Sequence, residues 1–275
     1  ASISNIVKLS IPIFFANLVI PLVAIVDTGL MGNLDNASYL TATSIATSVF
    51  SLIFWSFGFL RMGTTGMVAQ AHGSKNYDEI VNLVFRNIAF VILISLLLIL
   101  CQGYIFIISL SIFELSDETT KYFKEYFELR IYSSFGELTI YIITGLFIGL
   151  QRTTVSSVVV GFFSITNILL SLLFVVYFDL DVQGVALGTL VSSTLTSITF
   201  LCYTFFELQK FTSIKINLEK IFNLKKITKL FNINFDIFIR SAFLTFSFLF
   251  FTYLGNTISE DVVAANTILL NLIML

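Results

Sequence analysis

Residues 9–34 read LSIPIFFANLVIPLVAIVDTGLMGNL, 26 residues with a single charged side chain, Asp27. About 20 apolar residues suffice for a helix to cross roughly 30 Å of hydrocarbon, so this stretch predicts a membrane-spanning helix. A carboxylate inside lipid costs at least about 2.5 kcal/mol and is rarely left there without a role. Asp27 is therefore a functional-site candidate before anything else is read. The plainer alternative is a polar group that hydrogen-bonds a neighbouring helix, an interaction of about 0.6–2 kcal/mol. Pro12, Pro21 and Gly29 interrupt the same stretch. Pro21 has no amide donor and frees the carbonyl of Asn17, four residues earlier, so a kink is expected there. A kink that changes with Asp27 protonation would act as a switch.

The rest of the chain has the same character. Of its residues 57% are hydrophobic and 12% charged, with 31 Phe and a mean hydropathy of +0.95, whereas about a quarter of the residues of a soluble domain are charged. Uncharged runs recur at 36–60, 87–113, 153–178, 182–206 and 241–259. Each is long enough for a helix, and far longer than the roughly 10 alternating residues of a membrane β-strand. The fold class is thus all-α, a polytopic transmembrane helix bundle. Cys101 and Cys202 fall inside apolar runs and read as small packing residues. With His72 the only histidine, no His/Cys metal spacing exists and no metal site or cofactor is expected. Nor is an enzyme, because no Gly-x-Gly-Asp or Ser/His arrangement accompanies Asp27. Nucleic acid is not expected as a partner. The first span is too long, and is followed by too many others, to be a signal peptide.

The breaks place spans near 6–32, 38–60 with a continuation to about 72, 80–112, 119–150, 153–178, 182–207 and 230–255, and an eighth from about 260. The chain reaches Leu275 in mid-helix and begins at Ala1, as a fragment or trimmed product would. Lys8, Lys75, Arg152 and the six lysines of 209–229 alternate with loops carrying Asp35, Glu114, Asp117, Glu118, Asp179, Asp181, Glu260 and Asp261. Only Lys121 and Lys124 break the alternation, so the amino terminus is expected in the cytoplasm. The expected organisation is a six-helix lobe over 1–208, a cytoplasmic amphipathic linker over 209–229, and the first two helices of a second lobe over 230–275. The linker lysines either enforce topology or bind anionic lipid. Shifting the chain by 224 sets Ile11-Pro12-Ile13-Phe14 on Phe235-Asp236-Ile237-Phe238, Thr28 on Thr252 and Thr43 on Thr267, the pattern of two repeats in one orientation.

Gly58-Phe59-Leu60-Arg61-Met62-Gly63-Thr64-Thr65-Gly66-Met67-Val68-Ala69-Gln70-Ala71-His72-Gly73 resembles the second-helix signature of multidrug and toxic compound extrusion (MATE) transporters, in the branch of the DNA-damage-inducible protein F type. Other segments agree in order: Ile11-Pro12, Val26-Asp27-Thr28, Gly145-Leu146-Phe147-Ile148-Gly149-Leu150-Gln151, Asn167-Ile168-Leu169-Leu170, Val182-Gln183-Gly184-Val185-Ala186-Leu187-Gly188-Thr189 and Asp236-Ile237-Phe238-Ile239-Arg240. The resemblance implies twelve helices in two lobes around a central cleft. It also implies export of small amphipathic, often cationic, compounds in exchange for H+ or Na+, by a monomer in a bacterial inner membrane. Small-molecule substrates and membrane lipids are the partners this implies.

In that branch the first-span Asp belongs to a network with an Asn and an Asp on span 5 and a Thr on span 6. The matching positions are Asp27, Asn167, Ser171 and Thr189, and Ser171 departs from the second acid. Asn167 and Ser171, four apart, share a helix face. Coupling by protonation of Asp27 is favoured, since a desolvated cation wants more anionic charge than one carboxylate supplies. Glu137 is the candidate second carboxylate. It lies seven residues after Arg130, a separation read as too long for direct pairing and bridged through Ser133 or Ser134, and its other reading is a polar seam with Arg130. Arg61 is read as closing the inner side of the lobe or lining a gate. Asp236 and Arg240, four apart, are read as a local ion pair at the membrane edge. A lipid-linked oligosaccharide flippase of the same broad superfamily is the alternative transporter. It would need a cationic cleft, for which Arg61, Arg130 and Arg240 are the candidates. A non-transporting membrane protein is the remaining class.

Overall fold

In a computed structural model, residues 11, 14, 22–34, 37–113, 115–212 and 218–258 are described. Pro21, the first half of span 1, part of the linker and the eighth span lie outside them. Among the described residues every regular element is helical. They are α1 (Leu22–Gly32), α2 (Ala37–Ser56), α3 (Phe59–Gly73), α4 (Tyr77–Leu100), α5 (Gln102–Ile112), α6 (Asp117–Arg130), α7 (Ser134–Gly149), α8 (Thr153–Leu172), α9 (Asp181–Gln209), α10 (Leu218–Ile221) and α11 (Leu224–Ile258). Five continuous or near-continuous helical stretches are long and apolar enough to cross a membrane: Ala37–Gly73, Tyr77–Leu100, Asp117–Gly149, Thr153–Tyr177 and Asp181–Gln209.

Local chemistry sets the ends. Asn76 caps α4 by accepting from the Glu79 amide at 3.1 Å, and Ser116 caps α6 by accepting from Thr119 at 3.3 Å. Asp78 and Glu79 in one first turn, and Asp117 and Glu118 in the other, suit the positive end of the helix dipole. The tight returns at Lys75, Gln151 and Asp179 use positive φ of 55°, 59° and 52°.

Four interruptions appear inside the expected spans. A turn at Phe57-Gly58 separates α2 from α3, Cys101 separates α4 from α5, a 3-10 turn at Ile131–Ser133 separates α6 from α7, and a π turn at Leu173–Tyr177 extends α8. Span 7 forms as a helix from Leu224, six residues before its expected start at 230, because helical geometry continues into the lysine-rich stretch.

The most extensive helix pairs are α8 with α9 and α3 with α7. Small residues let both pairs approach closely. A Cβ on Gly188 would lie 2.6 Å from Ser171 Oγ and 2.8 Å from its amide nitrogen, and one on Gly145 would lie 2.5 Å from the Arg61 carbonyl. In lipid, where burial of apolar surface does not drive helix association, such close packing is a main source of adhesion. Two apolar clusters fill the bundle, one around Phe50, Phe123, Phe127 and Leu138, the other around Val68, Ile80, Ile143 and Phe147. Leu93, Leu97, Leu100, Tyr104 and Ile108 form an exposed apolar face on α4 and α5. Cys101 and Cys202 are also exposed, contrary to the packing role expected of them. An apolar run does not reveal which of its sides meets lipid.

Candidate functional site

Asp27 lies at the middle of α1. The side chains acting on its carboxylate include Ser171 from α8 and Arg130 from α6, and Asp27 in turn acts on Tyr126. Ser171 stands one turn beyond Asn167 on α8, and the Asn167 amide donates to Thr189 Oγ1 of α9 at 2.9 Å and to Ser192 Oγ at 3.4 Å. Thr189 donates onward to the Val185 carbonyl at 3.2 Å. The close approach of Gly188 to Ser171 is what brings the α9 hydroxyls to this depth. The four residues from three expected spans thus cluster as one polar patch, of which Asn167 and Thr189 are joined by a hydrogen bond.

Its unused atoms define what the patch can do. Asp27 Oδ1, Asn167 Oδ1 and Ser171 Oγ are buried oxygens without a hydrogen-bond partner among the described residues. Buried acceptors left unpaired cost about 1–3 kcal/mol each. A proton on Asp27, or a small cation held by these oxygens, would satisfy them.

Beside it lies a second polar group. Arg130 donates to Glu137 and to Ser133, and Ser133 donates to Glu137 Oε1 at 2.9 Å. The Arg130–Glu137 contact is direct as well as bridged, unlike the expectation from spacing alone. Seven residues rise about 10 Å along a helix, and two long side chains leaning toward each other close that gap. The guanidinium also lies 5.2 Å from the Phe50 ring centroid and 5.1 Å from that of Phe54. Arg130 therefore pairs with Glu137 while its charge also bears on Asp27. Glu137, Arg130, Trp55, Tyr141 and Phe163 line a cavity of about 680 Å³ that Arg61 also reaches.

Asp236 and Arg240 arrange differently from the sequence expectation, while Arg61 lines two cavities of the bundle. No Asp236–Arg240 ion pair forms among the described residues. The Arg240 guanidinium instead approaches Met62 Sδ at 3.9 Å, and Asp236 lines a different cavity with Lys225 and Lys229. The four-residue spacing permits a pair, but packing of α11 on α3 turns the arginine away.

Residues outside the sequence-derived set also stand out. Arg86 is buried and donates to the carbonyls of Ile221 at 2.9 Å and Lys220 at 3.1 Å. Asn234 is buried against Gly63 with both side-chain heteroatoms unpaired, and Asn87 donates to Thr64 at 3.1 Å. A charge just before the uncharged run at 87 was the available signal for Arg86. Asn234 had none, because a single amide in span 7 carries no pattern. Among the described residues no group of three or more His, Cys, Asp or Glu is placed to hold a metal.

Comparison with known proteins bears on the fold and the family. The MatE family model matches residues 12–173. DNA damage-inducible protein F of Escherichia coli (strain K12) is 30% identical over 238 residues, covering 86% of this chain and 51% of that protein. The chain thus spans about half the length of this curated relative. In fold it is similar to a MOP-superfamily transporter from Pyrococcus furiosus, with a TM-score of 0.81 at 20% identity over 98% of this chain and 60% of that one. That protein's binding pocket is described as having reversed polarity, suggesting a different function. It is also similar to an outward-facing multidrug resistance MATE transporter, with a TM-score of 0.79 at 20% identity, covering 96% of this chain and 58% of that one. With the family match spanning more than half of its residues, the chain belongs to the MatE family, the multidrug and toxic compound extrusion transporters.

Proposed function

We propose that this chain supplies the first lobe, and the start of the second, of a secondary antiporter that exports small amphipathic compounds, cationic ones included, in exchange for H+ or Na+. The protein resides in a plasma membrane with its amino terminus in the cytoplasm, and its chemistry is transport rather than catalysis. Asp27 is the coupling acid, and Asn167, Ser171 and Thr189 are its partners. The observation that supports the reading is the set of unpaired buried oxygens on Asp27, Asn167 and Ser171, beside the Asn167–Thr189 hydrogen bond. Such a patch changes its polar balance when it gains or loses a proton, and helices packed on it respond. One titrating carboxylate is enough for a proton cycle, which is why H+ is preferred.

The test uses the full-length protein in proteoliposomes loaded with a fluorescent organic cation. A pH gradient or a Na+ gradient is imposed alone, and efflux is followed. Efflux is expected with the proton gradient. In the Asp27→Asn protein, gradient-driven efflux is expected to disappear while the thermal melting midpoint stays close to wild type, because the amide keeps the shape and removes the titration. Normal gradient-driven export by that variant would remove Asp27 from the mechanism.

A further inference from the structure

Most cations on the inner parts of the bundle have partners. Arg86 faces Glu79 and two backbone carbonyls, Arg130 faces Glu137, Arg152 and Lys210 share Glu207, and Lys226 reaches Glu79. Arg61 and Arg240 form no ion pair among the described residues. Both line one cavity of about 490 Å³ between α3, α7 and α11, together with Met62, Thr65, Ile148 and Ile237. No carboxylate is among its lining residues.

Depth makes this costly. Arg61 is 12 residues from the end of its helix at Gly73, and Arg240 lies 10 residues past residue 230, where the lysine-rich linker ends. At 1.5 Å per residue these are about 18 and 15 Å from the linker end of the bundle. Guanidinium does not lose its proton in a protein. A charged group at such depth faces a cavity or a partner, and marks a pathway more often than a scaffold. The neutral groups nearby do not supply an anion. Thr65 Oγ1 donates to the carbonyls of Arg61 at 2.8 Å and Gly145 at 3.1 Å, holding α3 to α7. The acceptor that Arg240 meets is the weak thioether of Met62. Glu137, which lines the adjoining cavity, is held by Arg130 and Ser133. Two guanidinium forks with apolar walls of Met62, Ile148 and Ile237 match a carboxylate, sulfonate or phosphate carried on an apolar body.

We propose that Arg61 and Arg240 together form a binding site for the acidic head of an amphipathic compound, whose apolar part lies along Met62, Ile148 and Ile237. The head is supplied either by a free organic acid or by an anionic phospholipid. The inference goes beyond the antiport reading and does not depend on Asp27.

The probe is naphthalene-2-sulfonate, titrated calorimetrically into the full-length protein in phosphatidylcholine nanodiscs. One saturable site is expected, weakened about tenfold or more in Arg61→Gln and in Arg240→Gln, the loss of a charge-assisted hydrogen bond, and largely kept in Arg61→Lys. The isosteric cation 2-naphthylmethylammonium is expected not to compete. Undiminished binding in the double Gln variant, or equal competition by the cation, overturns the proposal. A readout on the unmutated protein guards against a variant that fails to fold. Phenylglyoxal modification of Arg61 and Arg240, followed by mass spectrometry, should be slowed by the sulfonate and not by the cation. If neither arginine is protected, the site is absent or already occupied by an acid of the second lobe, and the proposal fails. Repeating the titration in discs containing phosphatidylglycerol separates the two sources. Weaker sulfonate binding there identifies the lipid head as a competing occupant, and unchanged binding identifies a free acid. Because no ion gradient is used, failure here leaves the coupling role of Asp27 standing, and failure of coupling leaves this site standing.

Discussion

Glu137 shows how a single side chain holds a buried charge in this bundle. Arg130 and Glu137 are 11% and 14% exposed, so each is the other's main counter-charge. Removing one member of such a pair strands the other and costs roughly 3 kcal/mol. Glu137→Gln is therefore expected to lower the melting midpoint in detergent clearly, and adding Arg130→Met is expected to recover most of the loss. A single Gln variant as stable as wild type would mean that Ser133 and the Phe50 and Phe54 rings suffice for the guanidinium. At this scale the sequence was legible where chemistry is anomalous for its surroundings. Asp27 stood out by its charge, and Asn167, Ser171 and Thr189 came only with the family motifs, after which the structure brings them onto one patch. The direct Arg130–Glu137 contact and the separation of Asp236 from Arg240 were not legible, because helical spacing says which residues share a face and not where long side chains reach.

Most of the helices were legible from uncharged runs of about 20 residues or more, since the thickness of hydrocarbon fixes their length. Their interruptions at Phe57-Gly58, Cys101, Ile131–Ser133 and Leu173–Tyr177 were not, because packing against neighbouring helices decides them. The glycines of the span 6 motif gain a physical meaning here. Gly184 abuts the backbone of Phe174 and Val175, and Gly188 abuts Ser171. A methyl at 188 would press on Ser171 backbone that cannot step aside, so Gly188→Ala is expected to cost about 1–3 kcal/mol. At Gly29 a Cβ meets nothing within 4 Å among the described residues, so Gly29→Ala is expected to range from neutral to about 1 kcal/mol stabilising through helix propensity. Melting curves of the two variants side by side check this. Equal loss in both would mean that the α8–α9 contact is looser than its geometry.

On the scale of the whole molecule the question is what travels with what when one half of a transporter moves against another. The segment matches at an offset of 224 were legible as a pattern, and of the residues they align Pro12, Ile13 and Thr267 lie outside the described ones. The attachment of the linker was not legible, because it depends on backbone carbonyls. Arg86, buried in α4, holds the carbonyls of Lys220 and Ile221, Glu79 joins Arg86 to Lys226, and Thr212 donates to Asp78 at 2.5 Å. These contacts fasten both ends of the connection to the first lobe. In a two-lobe antiporter they would make the linker move with that lobe and leave the change of angle to fall within α11. Arg86→Gln removes the charge and the reach that hold the two carbonyls while leaving α4 intact. Amide exchange over 218–226, and trypsin cleavage at Lys220, Lys225 and Lys226, are expected to accelerate by about an order of magnitude, since local opening follows the number of contacts that resist it. Exchange over α8 and α9 should stay unchanged. A linker equally protected in the variant would show that Thr212 and Lys226 hold it without Arg86, and that the rigid unit is larger than the arginine clasp implies.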